Sequence, residues 1–265
     1  MSPKTALVTG ACSGIGFAIA RGLAMRGYDL VLISNREGPL TDAAHTLSQA
    51  TGRTVLPLCQ DLAQLGSAQS VYEQVKARGL AIDILVNNAG FFFFGEVADA
   101  EPAQAERLLT LHVTTPSVLC TYFGRDMRSR RCGRILMVSS ISAFRDFPGI
   151  AYYGSSKKYL RGFSAALRSE LSVYGIVVTC VLPGATATAL YDSSNIPVEF
   201  ARKVGIMAAP DFVAEQALSA LFSGRAECIP GVANILLTQL AKNTPQKAIE
   251  LLRKHAPWLP RSVLQ

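Results

Sequence analysis

The chain has 265 residues, 49% of them hydrophobic, which excludes a disordered chain and allows one large domain or two small ones. Three histidines and six cysteines (Cys12, Cys59, Cys120, Cys132, Cys180, Cys228) without a CxxC pair argue against a zinc site or a disulfide framework, and read as small core residues in a reducing compartment. Much of the +7 net charge sits in Arg125, Arg128, Arg130, Arg131 and Arg134; with no interleaved aromatics it reads as a basic helix end before Gly133, with no nucleic-acid partner.

In chain order, runs rich in Val, Ile and Leu alternate with helical stretches. Strands are expected at Thr5 to Thr9, Asp29 to Ser34, Thr54 to Gln60, Ile82 to Asn87, Arg134 to Ser139, Val177 to Leu182 and Ala226 to Ile229. This pattern predicts an α/β fold: a single doubly wound, Rossmann-type domain spanning 1–265, with a parallel sheet of about seven strands and helices on both faces. No linker or repeat divides it. Lys4 leads straight into the first strand, and no apolar stretch reaches the ~20 uncharged residues that span a bilayer, so a soluble cytoplasmic protein is expected. The segment from Ile229 to Leu264 mixes apolar and basic residues. A solvated or subunit-packing helix is preferred there over peripheral membrane contact.

The first strand ends in Thr9-Gly10-Ala11-Cys12-Ser13-Gly14-Ile15-Gly16 and opens into the helical run Phe17 to Arg26. Glycines there permit a tight turn and close backbone approach, leaving helix N-terminal N–H groups for a pyrophosphate; Gly10, Ser13, Gly14, Ile15 and Gly16 are the candidates. The second strand ends in Ser34-Asn35-Arg36. With no carboxylate for a ribose 2′-hydroxyl and a guanidinium at hand, NADP(H) is favoured over NAD(H), the alternative being a solvated loop charge. Asp61-Leu62 follows the third strand, where the carboxylate suits an adenine amino group or a helix N-cap. Asn87-Asn88-Ala89-Gly90 ends the fourth, at the sheet edge where ligands bind, and Asn88, Ala89 and Gly90 are assigned to the cofactor. Phe91 to Phe94 come next, and such a run either lines an apolar substrate cleft or makes a core or subunit contact.

Tyr153 and Lys157 lie four apart, on one face of a helix, with Ser140 upstream at the end of an apolar run. A phenol is a poor acid at neutral pH, but a nearby ammonium stabilises the phenolate. Ser140 can donate a hydrogen bond to the same substrate oxygen.

These motifs, together with Pro183-Gly184-Ala185-Thr186-Ala187-Thr188, occur in an order and spacing that resembles the short-chain dehydrogenase/reductase family over nearly the whole chain. Within it, Gly175 to Thr188, Ile229-Pro230-Gly231 and Asn234 look like a bacterial branch related to hydroxysteroid and 3-ketoacyl reductases. The resemblance implies that Ser140 orients a carbonyl, Tyr153 is general acid or base, and Lys157 tunes Tyr153 and holds the nicotinamide ribose. It implies that Pro183, Gly184, Thr186 and Thr188 line the nicotinamide and its phosphate, that 189–209 is a substrate lid with an apolar content including Tyr191, Ile196, Phe200 and Met207, that 229–265 is a C-terminal extension, and that the protein is a homodimer or homotetramer. The expected reaction is NADP(H)-dependent interconversion of a ketone and a secondary alcohol on a bulky apolar small molecule such as a steroid, fatty-acyl chain or polyketide-like ketone.

One position departs from the pattern. His112 falls where relatives carry an asparagine that supports a water-borne proton path to the lysine, largely through its backbone carbonyl and a helix irregularity. Either the imidazole joins the relay or it is a packed, hydrogen-bonded side chain. His112 also motivates an alternative reading, a catalytically impaired NADP-binding regulatory or assembly protein. A nucleotide-sugar epimerase or dehydratase is disfavoured because only about 80 residues follow Thr188. His45 and His255 are assigned no function.

Overall fold

The computed structural model describes residues 4–186 and 207–255, and side chains as far as Leu251. Seven parallel strands form one sheet in the order β3-β2-β1-β4-β5-β6-β7: Thr5–Thr9 (β1), Asp29–Ser34 (β2), Val55–Cys59 (β3), Ile82–Asn87 (β4), Gly133–Val138 (β5), Ile176–Val181 (β6) and Glu227–Cys228 (β7). The order reverses between β1 and β4, and such a switch point opens a crevice at the carboxyl ends of the strands.

The strands read as continuous apolar runs because both faces are covered. Ala6, Val8, Leu30, Leu32, Ile84, Val86 and Leu136 pack on one side against the helices Gly14–Met25 (α1), Glu37–Thr51 (α2) and Pro210–Phe222. Leu7, Val31, Ile33, Leu85, Ile135 and Met137 pack on the other, against Ser67–Ala77 (α3), Thr115–Arg130 (α5) and Ala151–Ser172 (α6). Before α5 come Pro102–Leu109 (α4) and a π-helical turn, Thr110–Thr114, which is continuous with α4 and α5.

Local corrections have local causes. Gly133 and Ile176 pair with each other, so β5 and β6 each begin one residue earlier than the apolar run suggested, while β7 shortens to two residues. The first helix starts at Gly14, inside the glycine loop, and not at Phe17. The basic cluster does cap a helix: Arg131 turns left-handed at φ 51°, Arg130 donates to the Ile82 carbonyl at 2.7 Å and Arg131 to that of Val173 at 3.2 Å. Cys120, Cys180 and Cys228 are core residues, whereas Cys59, at the end of the edge strand, and Cys132, in the turn before β5, are exposed.

Candidate active site

The crevice is built first by ties between the tips of β1 and β4. Buried Thr9 donates its hydroxyl to the Val86 carbonyl (3.1 Å), and the same oxygen accepts from the backbone N–H groups of Asn88 (2.9 Å) and Ala89 (3.0 Å). Asn88 returns the tie, its amide donating to the carbonyls of Thr9 (2.9 Å) and Gly10 (3.2 Å). Packing this tight leaves no room for side chains: a Cβ on Gly16 would overlap the Gly10 carbonyl and the Asn88 amide, and Gly10 has a φ of 65°. The first N–H groups of α1 therefore face the crevice from a rigid loop, as an anion site requires.

At the tip of β2, Arg36 folds back over the glycine loop. Its guanidinium donates to Ser13 Oγ (3.1 Å) and Cys12 Sγ (3.0 Å), and Ser34 Oγ accepts from the Arg36 N–H (3.2 Å). Burial opposes ionisation of the Cys12 thiol, but hydrogen bonds from Ser34 and Arg36 together with the Arg36 charge outweigh it and lower its pKa. Asp61 is not a helix N-cap: Gly66 precedes α3, and Asp61 instead accepts from the Ala63 N–H (3.0 Å) and pairs with Arg107 (3.0 Å). Partial burial opposes its charge, yet the Ala63 N–H and Arg107 hold it below the usual carboxylate range.

At the other end stand Ser140, Tyr153 and Lys157. Ser140 precedes a short 3₁₀ turn, Ile141–Phe144, and its Oγ accepts from the Ser142 N–H (3.1 Å), which leaves the hydroxyl proton for another acceptor. Lys157 is 4% exposed; Nζ donates to the Val138 carbonyl (3.1 Å) and lies 5.5 Å from the centre of the Tyr153 ring, while Ser139 holds the Lys157 carbonyl from below (2.7 Å). Burial lowers the Lys157 pKa from 10.5 to about 8.

His112 sits in the π-turn, 1% exposed, with both ring nitrogens engaged. The Phe91 N–H donates to Nε2 (3.2 Å); Nδ1 lies 3.0 Å from Ser156 Oγ, whose own proton goes to the Tyr153 carbonyl (2.8 Å). These partners assign a neutral imidazole protonated at Nδ1. Burial, and then the nearby Lys157 charge, hold its pKa well below 6.5. The ring thus links the Phe91 backbone to the helix that carries Tyr153.

A cleft of about 580 Å³ runs from Arg36 to Lys157, and every residue assigned from sequence to catalysis or the cofactor lines it except Thr188, which lies outside the described residues, as does 189–206 of the expected lid segment. Met207, at the end of that segment, is buried. The donor set fits a nicotinamide dinucleotide: N–H groups and a guanidinium at one end, and a wall at the other where a Cβ on Gly184 would strike Asn234. Phe91 and Phe92 line the cleft; Phe92 presents an edge-to-face contact to Tyr153 (4.9 Å) and stacks on Phe94 (6.2 Å). Thr9, Ser139, Ser156 and Asn234 were not singled out as site residues from sequence, because each acts on a residue distant in the chain.

Comparison with known proteins is consistent across sequence and structure. The sequence profile described as short chain dehydrogenase matches residues 4–197. The human protein dehydrogenase/reductase SDR family member 4 is 36% identical over 193 residues, 71% of this chain and 68% of its own. A short-chain dehydrogenase from Sphingobium yanoikuyae, solved in complex with NADPH, superposes with a TM-score of 0.79 at 29% identity, covering 92% of this chain and 97% of that one. The bulky-bulky ketone specific alcohol dehydrogenase from Comamonas testosteroni superposes with a TM-score of 0.77 at 26% identity, covering 93% and 96%.

Proposed function

This chain belongs to the short-chain dehydrogenase/reductase family of nicotinamide-dependent oxidoreductases acting on alcohols and ketones, and from that premise we propose that it is NADP(H)-dependent, with Tyr153 as general acid or base toward a bulky apolar ketone or alcohol. The carrying observation is the polarity of the cleft: Arg36, with no carboxylate on the β2 tip, at one end, and Ser140, Tyr153 and Lys157 at the other. The cofactor, when bound, supplies or accepts the hydride.

In the direction of reduction, the Ser140 hydroxyl donates a hydrogen bond to the substrate oxygen and orients the carbonyl. Tyr153 then gives its phenolic proton to that oxygen as charge develops on it. The Lys157 ammonium, held beside the Tyr153 ring from the end of β5, stabilises the phenolate left behind. Arg36 and Ser13 would hold the 2′-phosphate, Asp61 the adenine amino group, and the α1 N-terminus the pyrophosphate. Pro183, Gly184 and Thr186 would line the nicotinamide.

The substrate reading rests on Phe91 and Phe92 in the cleft wall and on Phe94, half exposed and stacked behind Phe92. The NADPH complex of the Sphingobium protein and the ketone class named for the Comamonas enzyme point the same way. Oxidation of NADPH across a panel of ketones, with Tyr153→Phe as control, tests the proposal. Turnover of bulky aryl or alicyclic ketones that falls at least a hundredfold in the variant supports it; equal rates in the two proteins remove Tyr153 as the acid.

A further inference from the structure

We propose that the helix Val232–Asn243 seats the protein on an anionic lipid surface. Val232, Leu236 and Leu240 follow each other at four-residue steps and are 74%, 60% and 68% exposed, with Leu237 beside them at 55%. Scattered apolar residues at a surface need no explanation, but a contiguous stripe along one helix does. Its orientation is fixed from the opposite side. Thr238 is buried, Asn234 packs against Gly184 and donates to the Pro230 carbonyl at 2.7 Å, and Lys242 Nζ lies 4.3 Å over the Phe144 ring. The leucines are therefore held outward by the body of the protein. Leu251, 57% exposed, belongs to the following helix, Gln246–His255.

Charge selects the occupant. Lys242 is turned to Phe144, and beyond it the sequence to His255 carries Lys247, Arg253 and Lys254 against one carboxylate, Glu250. In a two-fold pairing of identical chains this region would meet itself, cation against cation. Phosphate headgroups of an anionic leaflet complement it, and acyl chains cover the leucines. Among the described residues no helix is long and apolar enough to cross a membrane, so the helix lies on the surface and does not span it.

The placement joins this face to the cleft. The helix packs on the Ile141–Phe144 turn immediately after Ser140, and its Asn234 backs the Gly184 wall. A protein docked there holds the Ser140 end of its cleft next to the lipid, a position suited to apolar substrates partitioned into the bilayer. That last clause rests on the proposed ketone reaction; the docking itself does not.

The test is sedimentation of the full chain with vesicles of phosphatidylglycerol mixed into phosphatidylcholine, and of phosphatidylcholine alone. Binding at least tenfold stronger to the mixed vesicles is expected, and Leu236→Glu with Leu240→Glu should weaken it by about tenfold or more. Circular dichroism and NADPH fluorescence show that the double variant is folded. Failure to bind either vesicle, or binding unchanged in the variant, overturns the proposal. So does a native dimer by light scattering that becomes monomeric in the variant, because a second copy then covers the face. No readout uses turnover, so failure of docking and failure of the ketone reaction are separate results.

Discussion

Lys157 shows how one side chain carries both folding cost and chemistry. Its ammonium is buried against the Val138 carbonyl with no carboxylate among its described contacts, which is why its pKa falls to about 8. Above that pH the free enzyme would lose the charge proposed to stabilise a Tyr153 phenolate and to meet the cofactor ribose. The expected result is kcat/KM for NADPH falling about tenfold per unit above roughly pH 8. Lys157→Arg, whose guanidinium keeps its charge, should move that limb upward in any variant that retains activity. A flat profile from pH 7 to 9.5 would refute this role for the lysine.

Arg36 makes a second residue-scale prediction. Its guanidinium reaches the glycine loop through Ser13 and Cys12, so Arg36→Ala should raise KM for NADPH by tenfold or more while changing that for NADH less than threefold. Equal effects on the two cofactors would discard the 2′-phosphate assignment.

At the scale of elements, the π-turn and the β1–β4 tie fix the positions of Tyr153 and the glycine loop. His112 bridges the Phe91 backbone and, through Ser156, the carbonyl of Tyr153. An asparagine is shorter and satisfies one partner or the other. His112→Asn should therefore keep or raise turnover while costing about 1–2 kcal/mol of stability in a urea melt, the scale of one buried hydrogen bond left unmade. Collapse of turnover in the folded variant would instead make the imidazole essential. Thr9→Val should act differently: it strips the acceptor from the Asn88 and Ala89 N–H groups, so both stability and KM for NADPH should suffer.

Sequence legibility divides along the same line. The glycine loop, the Tyr153–Lys157 pair and all seven strands, to within about a residue at each end, are readable because their signals are local spacings and runs. Thr9 and Asn88 are 79 residues apart, His112 and Ser156 are 44 apart, and Gly184 meets Asn234 across 50, so no window along the chain contains these partners. For Asp61 the sequence offers an adenine contact or an N-cap; the N-cap alternative is not realised, because tertiary folding supplies Arg107 as its partner. The exposed stripe on Val232–Asn243 has the apolar content of a buried helix face, and only the packing of Thr238 and Asn234 shows which side faces out.

For the whole molecule, the buried titratable groups pull stability in opposite directions with pH. Lys157 has a folded pKa of about 8 against 10.5 unfolded, so between those values the unfolded chain binds the extra proton and stability rises with pH, by at most about 1.4 kcal/mol per unit. Cys120 and Cys180 are pushed by burial from 9.0 to about 12. Above pH 9 the unfolded chain sheds their protons while the folded chain keeps them, so stability falls, and two thiols outweigh one amine. His112 acts at the acid end. With its folded pKa well below 6.5, the unfolded state takes the proton as pH drops through that value, and stability is lost. Together these groups place an optimum near pH 9, with melting temperature rising from pH 7.5 to 9 and declining beyond. Thermal melts across that range check it, and Cys120→Ala with Cys180→Ala should flatten the alkaline decline. A monotonic fall from pH 7.5 in the native chain would show that Lys157 is not discharged by folding.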